Sequence, residues 1–191
     1  MYLYVFTMII GITGTLGAGK GTIVEFLKKK GFNHFSASGF ITEEIEKRGL
    51  PVNRDSMILV GNDLRAKYSP SYVAEQIFIR AQEKGGDCVL ESLRTQGEIE
   101  CLKEKDEFIL FAIDADPKIR YKRVLNRKSS KDSVTFDEFI KAENKEMTSE
   151  DPTKQNLAKC ISMADYVFTN NGSFEELKDE VEKVWEGIQK N

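Results

Sequence analysis

The stretch GITGTLGAGKGT, Gly11 to Thr22, lies between an apolar run, VFTMII, and the segment IVEFLKKKG. A glycine-rich turn between a strand and a helix aims backbone N–H groups at an anion, and the helix dipole adds to the attraction. Lys20 supplies a point charge for the β- and γ-phosphates of a nucleotide. Gly14, Gly19 and Lys20 follow the phosphate-loop pattern G-x-x-x-x-G-K-[ST]. The next position departs from it. Gly21 stands where a hydroxyl ordinarily holds magnesium, and Thr22 comes one residue later. The loop's expected cofactor-binding residues are Gly14, Leu16, Gly17, Ala18, Gly19, Lys20, Gly21 and Thr22.

Phosphoryl transfer needs alignment and charge neutralisation more than covalent help from the protein, so acids and arginines outside the loop matter most. Glu91 ends an apolar run, DCVLES, where it can organise the waters of a magnesium ion or serve as a helix cap or surface acid. Arg94 follows three residues later and can clamp an acceptor's phosphate bidentately, with a surface salt bridge as the alternative. Arg54 and Arg65 have weaker claims of the same kind. Arg120, Arg123 and Arg127, spaced by three and four, share one helical face. That face suits a lid closing on a triphosphate or a solvated surface paired with acids. Asn170, Asn171 and Gly172 either present amide and backbone groups to a base or form a plain turn. His34, the single histidine, reads as structural.

These residues require a frame that alternates strands and helices. Val5 to Thr13 reads as a buried strand. A helix runs from about Lys20 to Lys30, and Gly31 stops it. FNHFSAS reads as a second short strand. From Ile41 to Lys84 the pattern is helical, interrupted at Gly49-Leu50-Pro51 and at Gly61, and Pro70 marks a fresh helix start at its first position. Asp87 to Ser92, Glu107 to Asp114 and Asp165 to Asn170 are further strands. Asp116-Pro117 opens a helix, while Thr135 with Glu138 and Ser173 with Glu176 form capping boxes. The last helix carries an apolar stripe, Leu177, Val181, Val184, Trp185 and Ile188, that reads as core packing. Together these predict a single α/β domain, residues 1–191, with a parallel doubly wound sheet of about five strands. The helical stretch Ile41 to Lys84 and the polar NRKSSKDS would lie above the carboxyl ends of the strands, where such sheets bind ligands.

Composition narrows the class. Hydrophobic residues make up 40% and charged residues 31% of the 191, ordinary for a soluble globular protein. A net charge of -3 gives no reason to expect nucleic-acid binding. Cys88, Cys101 and Cys160 are far apart and unpaired in pattern, which suits a reducing cytoplasm and small buried hydrophobes. Tyr2 to Ile12 is too short to span a bilayer, and Met8 is a second candidate start.

The variant GAGKGT resembles the adenylate kinase group of nucleotide kinases, which carry G-x-G-K-G-T. The resemblance implies a P-loop NTPase fold, ATP and Mg²⁺ as cofactors, Thr22 as a phosphate ligand and metal held largely through water, here by Glu91. HFSASGF resembles the segment opening the acceptor lobe, about residues 38–84, which makes Ser38, Arg54, Arg65 and Arg94 substrate-binding. ESLR resembles the D-G-x-R closing the third strand. Arg120, Arg123 and Arg127 resemble the arginines of the lid, about residues 120–135, with Arg120 on the nucleotide and Lys20, Arg94, Arg123 and Arg127 catalytic. ADYVFTNNGSFEEL resembles the strand and loop that hold adenine, with Asn171 as a contact. This stretch and DADPKIRYKRVLNRK resemble dephospho-CoA kinases most. Two departures stand out: Thr42 replaces an acceptor-lobe arginine, and ENKE, Glu143 to Glu146, replaces an Arg-Asp pair. The second strand ends without the aspartate that dephospho-CoA kinases carry, and the next carboxylate is Glu43. The resemblance therefore implies transfer to a small nucleotide, a nucleoside monophosphate ahead of a ribose hydroxyl, with a nucleotide-binding protein that has lost turnover as a third possibility. No motif specifies the base or the oligomeric state.

Overall fold

In β1 (Ile9–Gly14) every residue is buried, as a continuous apolar run demands of a strand covered on both faces. The computed structural model describes residues 8–105, 107–126 and 135–190. After β1 come α1 (Lys20–Lys29), β2 (Asn33–Ser36), α2 (Ala37–Lys47), α3 (Arg54–Lys67) and α4 (Tyr72–Lys84). The chain continues through β3 (Cys88–Leu93), α5 (Gln96–Lys103), β4 (Phe108–Asp114), α6 (Pro117–Asn126) and α7 (Phe136–Met147). It closes with α8 (Leu157–Ser162), β5 (Tyr166–Thr169) and α9 (Phe174–Ile188).

The five strands are all parallel, in the order β2-β3-β1-β4-β5. Helices cover both faces. One core gathers Ile41, Val60, Ile77, Leu90 and Leu110 under α2 to α5. The other gathers Ile23, Leu27, Phe111, Phe168 and Val181 under α1 and α9, with Val184, Trp185 and Ile188 packed against it. The capping boxes at Thr135 and Ser173 both form, and a third caps α5 at Thr95 with Glu98. All three cysteines are free thiols, Cys88 and Cys160 buried and Cys101 half-buried. Among the described residues, no helix is long and apolar enough to cross a membrane.

Two boundaries differ from the sequence expectation. Gly61 does not interrupt a helix, because α3 runs through it. A Cβ there would lie 3.1 Å from Ile41 Cδ1 and 3.2 Å from Arg65 Nη1, so the glycine serves the close approach of α2 to α3. Pro70 does not open α4, which starts at Tyr72 behind Ser71. It sits in the preceding turn, where its carbonyl accepts a 3.1 Å hydrogen bond from Thr95 Oγ1. The register of the sheet sets the site. Glu91 pairs across β3 with Ile12 of β1 and with Ser36 of β2, and the β1–β3 register shifts after Ile12. The carboxyl ends of β1, β2 and β3 therefore meet at one place, where the connections from β1 to β2 and from β3 to β4 run to opposite sides of the sheet.

Candidate nucleotide and acceptor site

The loop after β1 is held from several sides. Gly14 has φ +134, and a Cβ there would lie 2.0 Å from the carbonyl oxygen of Ile113. Gly19, the N-cap of α1, has φ +117, and its Cβ would lie 2.5 Å from Asn170 Nδ2. Only glycine meets both demands without strain. Thr15 N–H donates to Ile113 O at 3.2 Å and Thr15 Oγ1 donates to Asp114 Oδ1 at 2.6 Å. Asn170 Nδ2 donates to Ala18 O at 2.7 Å. Lys20 Nζ folds back over the loop onto the carbonyls of Gly14, at 3.0 Å, and Thr15, at 2.9 Å. This is a rigid cradle of backbone amides at a helix N-terminus, which fits a nucleotide's phosphates. Gly21 is exposed, and a Cβ there would meet nothing within 4 Å. Thr22 lies in the first turn of α1 and is half-buried.

Glu91 faces this cradle. Gly19, Lys20, Gly21, His34, Glu91 and Arg94 line one pocket with the loop. Ser92 Oγ donates to Glu91 Oε1 at 2.7 Å and Ser36 Oγ donates to Oε2 at 3.0 Å. His34 Nε2 lies 3.9 Å from Oε2, too far for a hydrogen bond. Burial pushes the Glu91 carboxyl up. The neighbouring His34, the Lys20 ammonium and the two serine hydroxyls outweigh burial and hold the carboxyl down at about 2. Glu91 is therefore an anion throughout the neutral range. A hard, deprotonated oxygen ligand beside phosphate-binding amides fits magnesium, which keeps most of its waters. Ser92 holds φ 70, a left-handed conformation costing a non-glycine residue about 1–2 kcal/mol. Such strain gathers at functional sites. His34, expected to be structural, thus lines the pocket.

A second pocket adjoins the first, and the two share Leu16, Ser38, Ser92 and Arg94 as lining. Its other residues include Ile41, Arg54, Met57, Glu146 and Gln155. Arg54 and Arg94 meet here. Glu146 bridges them: Arg54 Nε donates to Oε1 at 2.8 Å and Arg94 Nη1 to Oε2 at 2.6 Å. Arg94 Nη1 also donates to Gln155 Oε1 at 3.2 Å. Thr42 turns away from any arginine-like role and donates to Ser38 O at 2.9 Å. Glu43 lies outside the pocket, paired with Arg80 at 2.7 Å.

The remaining arginines depart from expectation. Arg65 is buried, 2% exposed, and its Nε and Nη2 donate to Glu98 Oε1 at 2.9 and 2.7 Å. It is a core residue and lines no acceptor pocket, because α3 turns this face inward. Arg120 is also buried. Its Nε donates to Ala115 O at 2.7 Å, its Nη1 to Leu16 O at 3.4 Å, and both Nη atoms to Glu143. It reaches the phosphate loop through Leu16 while Glu143 neutralises it. Arg123 does not share its environment. It donates to Asn170 O at 2.9 Å and Gly172 O at 2.8 Å and stacks on Phe174 at 5.0 Å, which ties it to the loop after β5. Asn171 Oδ1 accepts from Asp116 N–H at 2.7 Å. Arg127 lies outside the described residues. The sequence reading also missed the acids of α7. Where ENKE replaces an Arg-Asp pair, Glu143 and Glu146 supply the partners of Arg120, Arg54 and Arg94. A spacing of i, i+3 between two acids was the available signal.

Residues 10–150 match the family described as an AAA domain. The chain is similar to the UPF0200 protein PH1008 of Pyrococcus horikoshii, 30% identical over 190 residues, which cover 96% of this chain and 99% of that one. It also resembles the crystal structure of TT1252 from Thermus thermophilus, with TM-score 0.61, 19% identity and 95% and 97% of the two chains covered. The dephospho-CoA kinase from Campylobacter jejuni superposes with TM-score 0.50 at 16% identity, over 96% of this chain and 98% of that one.

Proposed function

The chain belongs to the UPF0200 family, carries its AAA domain on a P-loop kinase fold, and from that premise we propose that it transfers the γ-phosphate of ATP to a nucleoside monophosphate. The observation that carries this reading is the junction of the two pockets, where Arg94 lines both. A phosphate cradle with Lys20 lies on one side and a pair of guanidinium groups, Arg54 and Arg94, on the other. Lys20 and the loop amides bind the donor's β- and γ-phosphates. Arg94 and Arg54 align the acceptor's phosphate for in-line attack, with Ser38 beside them. A monophosphate oxygen is already anionic, so no general base is required. Thr22 would contact the phosphates, and Glu91, through water, would hold magnesium. A bound magnesium would supply neutralisation of the charge that develops in transfer. The lobe α2 to α4 and the helices α6 and α7 would close over the pair and exclude water.

A second reading has one observation in its favour. Glu91, hydrogen-bonded to Ser36, lines the loop-side pocket beside Arg94, so a carboxylate is available to orient a ribose hydroxyl despite the absence of one at the end of β2. Purified protein with ATP, Mg²⁺, a panel of nucleoside monophosphates and dephospho-CoA, with products resolved by mass, decides between them. A nucleoside diphosphate supports the first reading. A phosphorylated coenzyme A without diphosphate replaces it by the second. No product from any acceptor, with ATP bound, leaves a binding protein without turnover.

A further inference from the structure

Resting on the reading of the Arg54–Arg94 pocket as the acceptor site, we propose that Glu146 is its specificity-determining residue: it occupies the anion position on both arginines and yields it only to a doubly charged phosphate.

The two oxygens of Glu146 are divided between two guanidinium groups, one on Arg54 and one on Arg94. This is the arrangement a phosphate would take, since guanidinium matches planar oxyanions bidentately. Glu146 is 5% exposed, so its carboxylate is part of the pocket and not a solvated surface acid. Among the described residues lining that pocket, Arg54, Arg94 and Glu146 alone carry charge, and together these three leave one net positive charge. A singly charged ligand that displaced Glu146 would exchange one monoanion for another and gain nothing electrostatically. A phosphate monoester dianion gains an additional charge interaction with each arginine. Discrimination then comes from competition with a built-in anion rather than from added contacts.

The displaced side chain has somewhere to go. Glu146, Arg54, Ile58 and Gln155 also line an outer groove between α3 and α7, whose lining carries Lys145 and Lys154 together with Asp55, Asp63 and Asp151, Lys154 being paired with Asp151. Glu146 thus stands in the wall between the pocket and this groove. One turn back on α7, Glu143 is locked to buried Arg120, so α7 keeps a fixed anchor while Glu146 exchanges partners. Glu143 faces the donor loop and Glu146 the acceptor pocket, which puts both halves of the site on one helix.

The test uses small anions, independent of any nucleotide acceptor. Wild type and Glu146→Gln, each saturated with ADP, are titrated calorimetrically with dimethyl phosphate, a monoanion, and methyl phosphate as dianion. Glu146→Gln is expected to bind dimethyl phosphate at least about tenfold more tightly than wild type, the scale of one charge-assisted hydrogen bond. Its preference for the dianion should shrink, and Arg94→Gln added to it should abolish the gain. Equal affinity for dimethyl phosphate in wild type and Glu146→Gln overturns the proposal. So does the same gain in Glu143→Gln, which would mean that α7 had merely loosened. Where Glu146→Gln does not fold, Glu146→Ala removes the charge as well, and no gain there refutes the idea equally. If the gain appears but no nucleoside monophosphate is ever phosphorylated, the acceptor reading fails while the anion exchange at Glu146 stands.

Discussion

Replacing Arg65 by methionine tests whether the buried ion pair behind the site holds it in place. Arg65 and Glu98 have side chains 1% and 0% exposed. One oxygen of Glu98 takes both guanidinium bonds. The other accepts the backbone N–H groups of Arg94, at 2.7 Å, and Thr95, at 3.2 Å. Removing one partner of a buried pair costs about 3–5 kcal/mol, because the other charge stays buried without its counter-charge. Glu98 keeps two amide donors, so Arg65→Met belongs at the low end, about 3 kcal/mol. Glu98→Gln leaves the Arg65 charge buried, with Nη1 already lacking a partner, and loses part of the α5 cap, for a similar cost. The double substitution removes both charges, so it should cost at least about 2 kcal/mol less than the two singles together. Urea unfolding with unchanged slope measures all three. Because Glu98 fixes the Arg94 amide, acceptor KM should rise in Arg65→Met while ATP binding holds. Additive single costs, or an Arg65→Met penalty below about 1 kcal/mol, would refute the reasoning.

Lys20→Ala should leave the fold intact and lower turnover about 10²-fold or more, the scale of losing one electrostatic contact in the transition state; an unchanged acceptor-phosphorylation rate would remove the loop from the chemistry. Glu91, held at about 2 against an ordinary value of 4.5, contributes stability that is fully present above pH 4.5 and lost as pH falls towards 2. Glu91→Gln should flatten the stability curve in that acid window alone, as followed by unfolding at fixed pH, and an unaltered acid limb would mean the carboxylate is not held down. Gly21→Ser should be tolerated within about 0.5 kcal/mol, because its Cβ enters open space; a larger loss of thermal stability contradicts that geometry. Hydrogen exchange with a bisubstrate analogue should protect α2 to α4 and α6 to α7, whereas protection confined to Gly14–Thr22 would argue against closure.

What the sequence makes legible follows from how local each determinant is. Strand runs such as Cys88–Leu93, capping boxes and the Gly14–Lys20 spacing depend on neighbours along the chain, and they appear in the structure where their pattern puts them. Arginine is different, because its side chain fits an acceptor pocket, a core ion pair and a loop clamp equally well, and only tertiary partners choose among them. Arg54 and Arg94 reach the pocket because α3 and the end of β3 meet there. Arg65, eleven residues from Arg54, falls on the inward face of the same helix and finds Glu98. Arg120 and Arg123 share a helix and nearly a face, yet one is sunk against Glu143 and the other rides on Phe174. The acids that decide these outcomes lie 23 to 92 residues away, beyond any periodicity. Gly61 misleads for the same reason: a glycine that breaks a helix and one that admits a neighbouring helix look alike until Ile41 is seen against it. ENKE carries the lesson furthest, since residues that read only as the replacement of an Arg-Asp pair become, once folded, the counter-charges on both sides of the site.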